Sequence, residues 1–313
     1  MVQAWVFPGQ GSQAVGMGKA LNDAFAAARE VFEEVDEALT QRLSRIMWEG
    51  PEADLTLTEN AQPALLAVSL AAVRVIERET DKRIEAFARY AAGHSLGEYS
   101  ALTAARALGL SDAARLVKIR GQAMQRAVPA GAGGMLALLG AEPAQAEEIA
   151  REAAGRDVCV VANDNGGGQI VLSGHAAAIA RAQEIALKKG IKRAIPLQVS
   201  APLHSPLLAP AADAMREALD NVEVAVPSVT VIANVTAEPV SDPDEIRRLL
   251  VEQVTGRVRW RESVEALTGF GVDRYVELGC GKVVAGLVKR IAKDASAVSG
   301  GTPEELEAIM KSL

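Results

Sequence analysis

A side-chain hydroxyl becomes a useful nucleophile when the chain presents it at a bend and a base stands beside it. One stretch meets the first requirement: Gly93-His94-Ser95-Leu96-Gly97 has the G-x-S-x-G spacing of a nucleophile elbow. An apolar run at 87–92 precedes it and an Ala/Leu-rich run at 96–108 follows, so strand, tight turn and helix are expected in that order. The two glycines remove side chains that would clash in the turn. The following helix aims its first N–H groups at the serine, where an oxyanion develops during acyl transfer. An ordinary serine in a Gly-rich turn carries the same five letters. The flanking strand and helix are what favour the nucleophile.

The base must come from three histidines. His94 adjoins Ser95, but neighbours at a sharp bend diverge, so it reads as a packed support. His175 follows Ser173-Gly174, where a capping or surface role is the plainer reading. His204 lies in Ser200-Ala201-Pro202-Leu203-His204-Ser205-Pro206, an irregular loop bracketed by prolines. Loops held by rigid flanks commonly carry catalytic side chains, and the order Ser then His matches α/β-hydrolase-type chains. His204 is the expected general base. Arg120, in Leu116-Val117-Lys118-Ile119-Arg120-Gly121-Gln122, stands near the end of a helical pattern. By position it reads as a charge favoured at a helix C-terminus. The other reading is a fork for a substrate carboxylate.

These groups need a scaffold that brings distant segments together. At 313 residues the chain can form one large domain carrying a smaller one. Gln3-Ala4-Trp5-Val6-Phe7 predicts a buried strand that stops at Pro8-Gly9-Gln10-Gly11-Ser12. Helical patterns cover 20–43 and 62–79. At Pro129-Ala130-Gly131-Ala132-Gly133-Gly134 the texture changes and a hinge is expected. Beyond it the pattern predicts strand 135–139, helix 143–154 and strand 158–162, then a turn through 163–168. Strand 169–173, helix 176–189 and strand 193–198 follow. That βαββαβ order is the ferredoxin-like unit. The expected fold class is therefore α/β. An α/β-hydrolase-like large domain with a parallel sheet core takes residues 1–128 and 199–313, and an inserted ferredoxin-like α+β domain takes 129–198.

Composition narrows the function classes. A net charge of −7 argues against a nucleic-acid surface, which needs clustered cations. Cys159 and Cys280 lie far apart with no second Cys or His at ligand spacing. Neither a disulfide framework nor a zinc site is expected, and a reducing cytoplasm suits both thiols. Residues 1–7 lack the pattern of a signal peptide. The longest apolar stretch, 64–73, is broken by Ser69 and is about half of what a membrane helix needs.

Longer motifs add a resemblance. Phe7-Pro8-Gly9-Gln10-Gly11-Ser12-Gln13 and Gly93-His94-Ser95-Leu96-Gly97-Glu98-Tyr99-Ser100-Ala101-Leu102 resemble the malonyl-CoA:acyl carrier protein transacylases. These are the stand-alone acyltransferases of fatty acid synthesis, related to acyltransferase domains of polyketide synthases. Gln62-Pro63-Ala64-Leu65, Arg120-Gly121, Ala162-Asn163, the segment 200–204, Glu252-Gln253 with Trp260, and Glu277-Leu278-Gly279 follow in the family's order across nearly the whole chain.

The resemblance implies roles at the matching positions. Ser95 would carry the acyl group and His204 would be its base and later acid. The backbone N–H groups of Gln10 and Leu96 would form the oxyanion hole. Arg120 would pair with the malonyl carboxylate, and Gln253 would orient His204 through its carbonyl in place of a triad Asp. Gln62 and Asn165 would line the substrate pocket. Malonyl-CoA and holo acyl carrier protein are the implied partners of a monomeric cytoplasmic enzyme, with no metal or cofactor. An acidic carrier protein would meet a cationic rim. Lys188, Lys189, Lys192 and Arg193, or Lys282, Lys289 and Arg290, are candidates, and solvated helix faces are the plainer reading of the same residues. Two departures stand out. Gly256-Arg257 replaces a common Asn-Pro pair and is expected to loosen the loop after Gln253. Cys280 replaces a common proline and reads as small filler. Two other functions stay open: a serine thioesterase or hydrolase with the same elbow, and a non-catalytic acyl-CoA-binding or scaffold protein. A polyketide-type acyltransferase also remains possible within the family.

Overall fold

Ala4-Trp5-Val6-Phe7 is apolar without alternation, so both faces need cover, and such a strand belongs inside a parallel sheet. The computed structural model, which describes residues 2–197, 199 and 201–313, places it there. The strands are β1 (Gln3–Phe7), β2 (Tyr90–Gly93), β3 (Gly133–Leu139), β4 (Cys159–Asp164), β5 (Gln169–His175), β6 (Arg193–Leu197), β7 (Thr230–Ile232), β8 (Pro239–Val240), β9 (Arg274–Leu278) and β10 (Ser296–Gly300). One sheet runs β10-β9-β1-β2-β7-β8 and is parallel except for the edge strand β8. The other, β4-β5-β3-β6, is antiparallel. The mixed α/β architecture with a parallel core agrees with the sequence reading.

Several elements differ from expectation for local reasons. The pattern at 20–43 is two helices, Lys19–Ala24 and Ala26–Leu39, because Phe25 between them is extended at φ −127°, ψ 127°. The helix after the elbow, Gly97–Ala104, ends early, just ahead of Arg106 at a left-handed φ of 64°. The helix Leu110–Ala127 holds Arg120 in its middle, so the reading of Arg120 as a C-terminal charge is corrected. The predicted strand 193–198 is observed as Arg193–Leu197, and Gln198 lies outside the described residues, as do Met1 and Ser200. No helix among the described residues is long and apolar enough to cross a membrane.

The strand period of two divides the small sheet's work. Leu136 and Leu138 of β3 pack under the helices Pro143–Ala154 and Ala176–Lys188, with Ile149 and Ile179. Met135 and Ala137 face the other way, with Val171 and Leu203. That second face closes over the carboxyl ends of the parallel strands.

There β1 and β2 end side by side, with Phe7 opposite Gly93. The loop after Phe7 and the turn after Gly93 therefore emerge together. Glycine is required by close approach: a Cβ on Gly93 would lie 1.9 Å from the Gly97 carbonyl, and one on Gly97 would lie 2.4 Å from the Phe7 oxygen. Both contacts are with backbone, which cannot swing aside. Gly97→Ala is therefore expected to destabilise the protein by about 3 kcal/mol, read as a lower urea midpoint. An unchanged midpoint would show that the turn has room for a methyl group.

Candidate active site

Ser95 sits at the top of the turn with φ 54°, in the left-handed region that a Cβ disfavours. Its surroundings hold it there. The Ser95 N–H donates to Asn234 Oδ1 at 2.8 Å, and Asn234 Nδ2 donates to the Gly93 carbonyl at 2.7 Å. Asn234 follows β7, the strand beside β2, so it reaches across the sheet end and pins both sides of the bend. Such strain is kept where the chemistry needs it.

His204, also left-handed at φ 57°, meets Ser95 from the far side. Its Nε2 lies 2.8 Å from Ser95 Oγ. Its Nδ1 lies 2.9 Å from the Gln253 carbonyl and 3.0 Å from the Gly256 carbonyl. Two acceptors at Nδ1 require the proton there, which leaves Nε2 free to accept from the serine hydroxyl. Burial, and then the charge of Arg120, push His204 down to about 3, so the ring is neutral.

Arg120 is 2% exposed. It donates to Gln62 Oε1 at 2.8 Å, to Gln253 Oε1 at 2.8 Å and to Ser95 Oγ at 3.2 Å. Among the described residues no carboxylate lies within 4.0 Å of it. Gln253 links it to Glu98, its Nε2 donating to Glu98 Oε2 at 2.6 Å. Burial lowers the Arg120 pKa against the pull of Tyr99 and Glu98.

A cavity of about 530 Å³ opens beside Ser95 and His204, lined also by Gln10, His94, Asn165, Gln169 and Leu203. Asn165 is one of the lining residues and its Oδ1 lies 2.8 Å from His94 Nε2. His94 packs against Trp260, with centroids 5.8 Å apart, and lines the cavity as well. Gln62 is fully buried, and its amide oxygen accepts from Arg120; neither of the two is among the residues that line the cavity. The N–H groups of Gln10 and Leu96 have no acceptor among the described residues, and Leu96 caps the helix Gly97–Ala104.

The loop after Gln253 is not loosened at Gly256-Arg257. Gly256 lends its carbonyl to His204, Arg257 pairs with Glu147, and Val258 donates to the Ala162 carbonyl at 2.8 Å. The small sheet thereby anchors the histidine's partner. Cys280 Sγ lies 2.9 Å from the Ser12 carbonyl, and burial keeps the thiol protonated. The described residues contain no group of three or more His, Cys, Asp or Glu placed to hold a metal. His175 accepts from the Val158 N–H at 2.9 Å, a structural role far from this site.

A profile of the acyl transferase domain matches residues 4–302. The chain belongs to the acyl transferase family. The chain is 43% identical over 311 residues to the malonyl CoA-acyl carrier protein transacylase of Bacillus subtilis, covering 99% of this chain and 96% of that one. The Escherichia coli K12 protein of the same name is 40% identical, with 98% of each chain covered. A crystal structure of the acyl-carrier-protein-S-malonyltransferase from Bartonella henselae superposes with a TM-score of 0.97 at 54% identity, covering 100% and 99%. A type II PKS acyl-carrier protein in complex with its malonyl-transacylase matches at 0.96 and 38%, covering all of both chains.

For an acyl transferase, the groups that sequence reasoning missed are Glu98 and Asn234. Glu98 lay inside a quoted motif, and Asn234 ends a strand beside the elbow's own, which was the available signal. Of the cations considered for a partner surface, Lys189 is paired with Glu148 and Glu152, and Lys282 with Glu305. Arg290 donates to Gln169 Oε1 at 3.3 Å, at the cavity edge.

Because His204 is buried and neutral, its ring nitrogens are expected to keep the pattern of a neutral imidazole protonated at Nδ1 between about pH 5 and 8. A titration near the ordinary histidine value, followed by NMR, would contradict this electrostatic picture.

Proposed function

We propose that the chain moves a malonyl group from malonyl-CoA to the pantetheine thiol of holo acyl carrier protein, through an ester on Ser95. One observation carries the reading: a buried guanidinium, without a carboxylate partner among the described residues, touches the same Oγ that faces a neutral imidazole. An acyl group with its own carboxylate supplies the missing anion within reach of the nucleophile.

Ser95 Oγ attacks the thioester carbon as its proton passes to His204 Nε2. The carbonyl electron pair moves onto oxygen, which accepts from the N–H groups of Gln10 and Leu96. The pair returns, the C–S bond breaks, and the CoA sulfur leaves with the proton from His204. The carrier thiol then gives its proton to His204 and attacks the ester. The C–O bond breaks and Ser95 regains its proton. The carbonyls of Gln253 and Gly256 hold the imidazolium that forms in each half-reaction. A carboxylate on Arg120 offsets the charge that depresses His204, so the base strengthens once a malonyl group is bound.

The sheet orders favour reading the parallel unit, residues 1–128 and 199–313, as α/β-hydrolase-like, and 129–198 as a ferredoxin-like insertion. Asn165 contributes to the acyl pocket, and Gln62 acts through Arg120. The enzyme works as a monomer in the cytoplasm, where its two unpaired thiols remain reduced.

Incubation with malonyl-CoA should add one malonyl group to the intact mass, and Ser95→Ala should abolish the addition. An adduct that survives in Ser95→Ala would refute the assignment. Release of free malonate, with the carrier protein left unloaded, would instead indicate a hydrolase. Arg120→Lys loses the fork that spans Gln62, Gln253 and Ser95. Its kcat/KM for malonyl-CoA is expected to fall about 10- to 100-fold, and steady-state kinetics would show it.

A further inference from the structure

Glu98 is the second residue of the helix Gly97–Ala104, a place where a carboxylate is usually solvated, yet it is 2% exposed. The transfer steps make no use of it. Its Oε2 accepts from Gln253 Nε2 at 2.6 Å and from the Asn234 N–H at 3.1 Å. Those two residues touch Ser95, His204 and Arg120. Gln253 accepts from Arg120 at Oε1, accepts from His204 at its carbonyl, and donates from Nε2 to the Ser95 carbonyl at 3.0 Å. Asn234 holds the Ser95 N–H.

An amide has a donor end and an acceptor end, and its shape does not decide which faces which neighbour. Turned over, the Gln253 amide would set its NH2 against the Arg120 guanidinium and its oxygen against the Glu98 carboxylate. An ionised Glu98 can only accept and the Arg120 guanidinium can only donate, so the two together forbid that arrangement. We propose that Glu98 is a positioning residue of the acyl-transfer site, whose carboxylate anchors the donor end of the Gln253 amide and through that amide steadies the aim of Arg120. The inference rests on the malonyl-transfer reading above.

The charged or titratable groups facing Glu98 are Arg120, from the helix Leu110–Ala127, and Tyr99 on its own helix. Gln253 and Asn234 face it from the other elements and do not titrate. Burial pushes Glu98 up to about 7, against the opposing pull of Gln253, Asn234 and Arg120. A carboxyl group that gains a proton loses its charge and accepts more weakly, which loosens its hold on the amide. Malonyl transfer therefore weakens as pH falls through that value. His204, pushed down to about 3, produces no such limb.

The test compares Glu98→Gln, which keeps the shape and removes the charge, with Glu98→Asp, which keeps the charge on a shorter arm. Acylation of Ser95 is followed with malonyl-CoA and with acetyl-CoA, which lacks the second carboxylate. For Glu98→Gln, kcat/KM for malonyl-CoA is expected to fall about 10- to 100-fold and that for acetyl-CoA by less than about 3-fold. The acid limb should vanish in Glu98→Gln and persist in Glu98→Asp. Equal losses for both substrates, or an acid limb surviving in Glu98→Gln, would overturn the proposal. So would unchanged malonyl kinetics. If the unaltered enzyme places no malonyl on Ser95, the underlying reading fails and this inference with it. Normal loading by both proteins sinks the inference alone.

Discussion

Taking a guanidinium out of water costs several kcal/mol unless something nearby replaces its hydration. In this chain Arg120 receives three neutral oxygens and, among the described residues, no carboxylate within ion-pair distance. The interior thus retains a positive charge directly behind a serine hydroxyl. Two consequences follow from that single placement. The charge suppresses protonation of His204, keeping the base ready, and it favours any acyl group that ends in an anion.

The remaining architecture serves to hold this arrangement without letting water neutralise it. The long helices Thr58–Thr80 and Leu110–Ala127 supply Gln62 and Arg120 from the buried side. The parallel strands deliver the elbow and the Gln10 loop together, because Phe7 and Gly93 are in register. The small sheet closes the opposite side with Met135 and Val171, and ties down the loop that carries the Gly256 carbonyl. Each of the two left-handed residues, Ser95 and His204, is held by hydrogen bonds from segments distant in sequence. Local sequence alone would not keep either in that conformation.

How much of this could be read beforehand follows from the range of each interaction. The elbow was legible because its requirement is local: glycines at 93 and 97, an apolar strand before, helix formers after. The βαββαβ order was legible through alternation and turn residues, with boundaries displaced by a few residues. Arg120 was misplaced at a helix end, because the periodicity that continues to Ala127 is diluted by the polar Gln122, Gln125 and Arg126, of which the first two are half-buried. Its burial depends on the packing of a second helix, which periodicity does not reveal. That Gln62 lies fully buried against Arg120 depends on the packing of the same two helices, which its own sequence neighbourhood does not show. Asn234 and Glu98 escaped notice because their partners lie 136 to 155 residues away in the chain. The loosening expected at Gly256-Arg257 ignored Glu147, a contact from the other sheet's helix.

The most direct test of the central claim is a crystal structure of the protein trapped with malonyl-CoA. The account predicts electron density for an ester on Ser95 Oγ, its carbonyl oxygen against the N–H groups of Gln10 and Leu96, and its carboxylate paired with the Arg120 guanidinium. A malonyl-serine whose carboxylate points to the cavity mouth, with Arg120 still bound to its neutral partners, would contradict it.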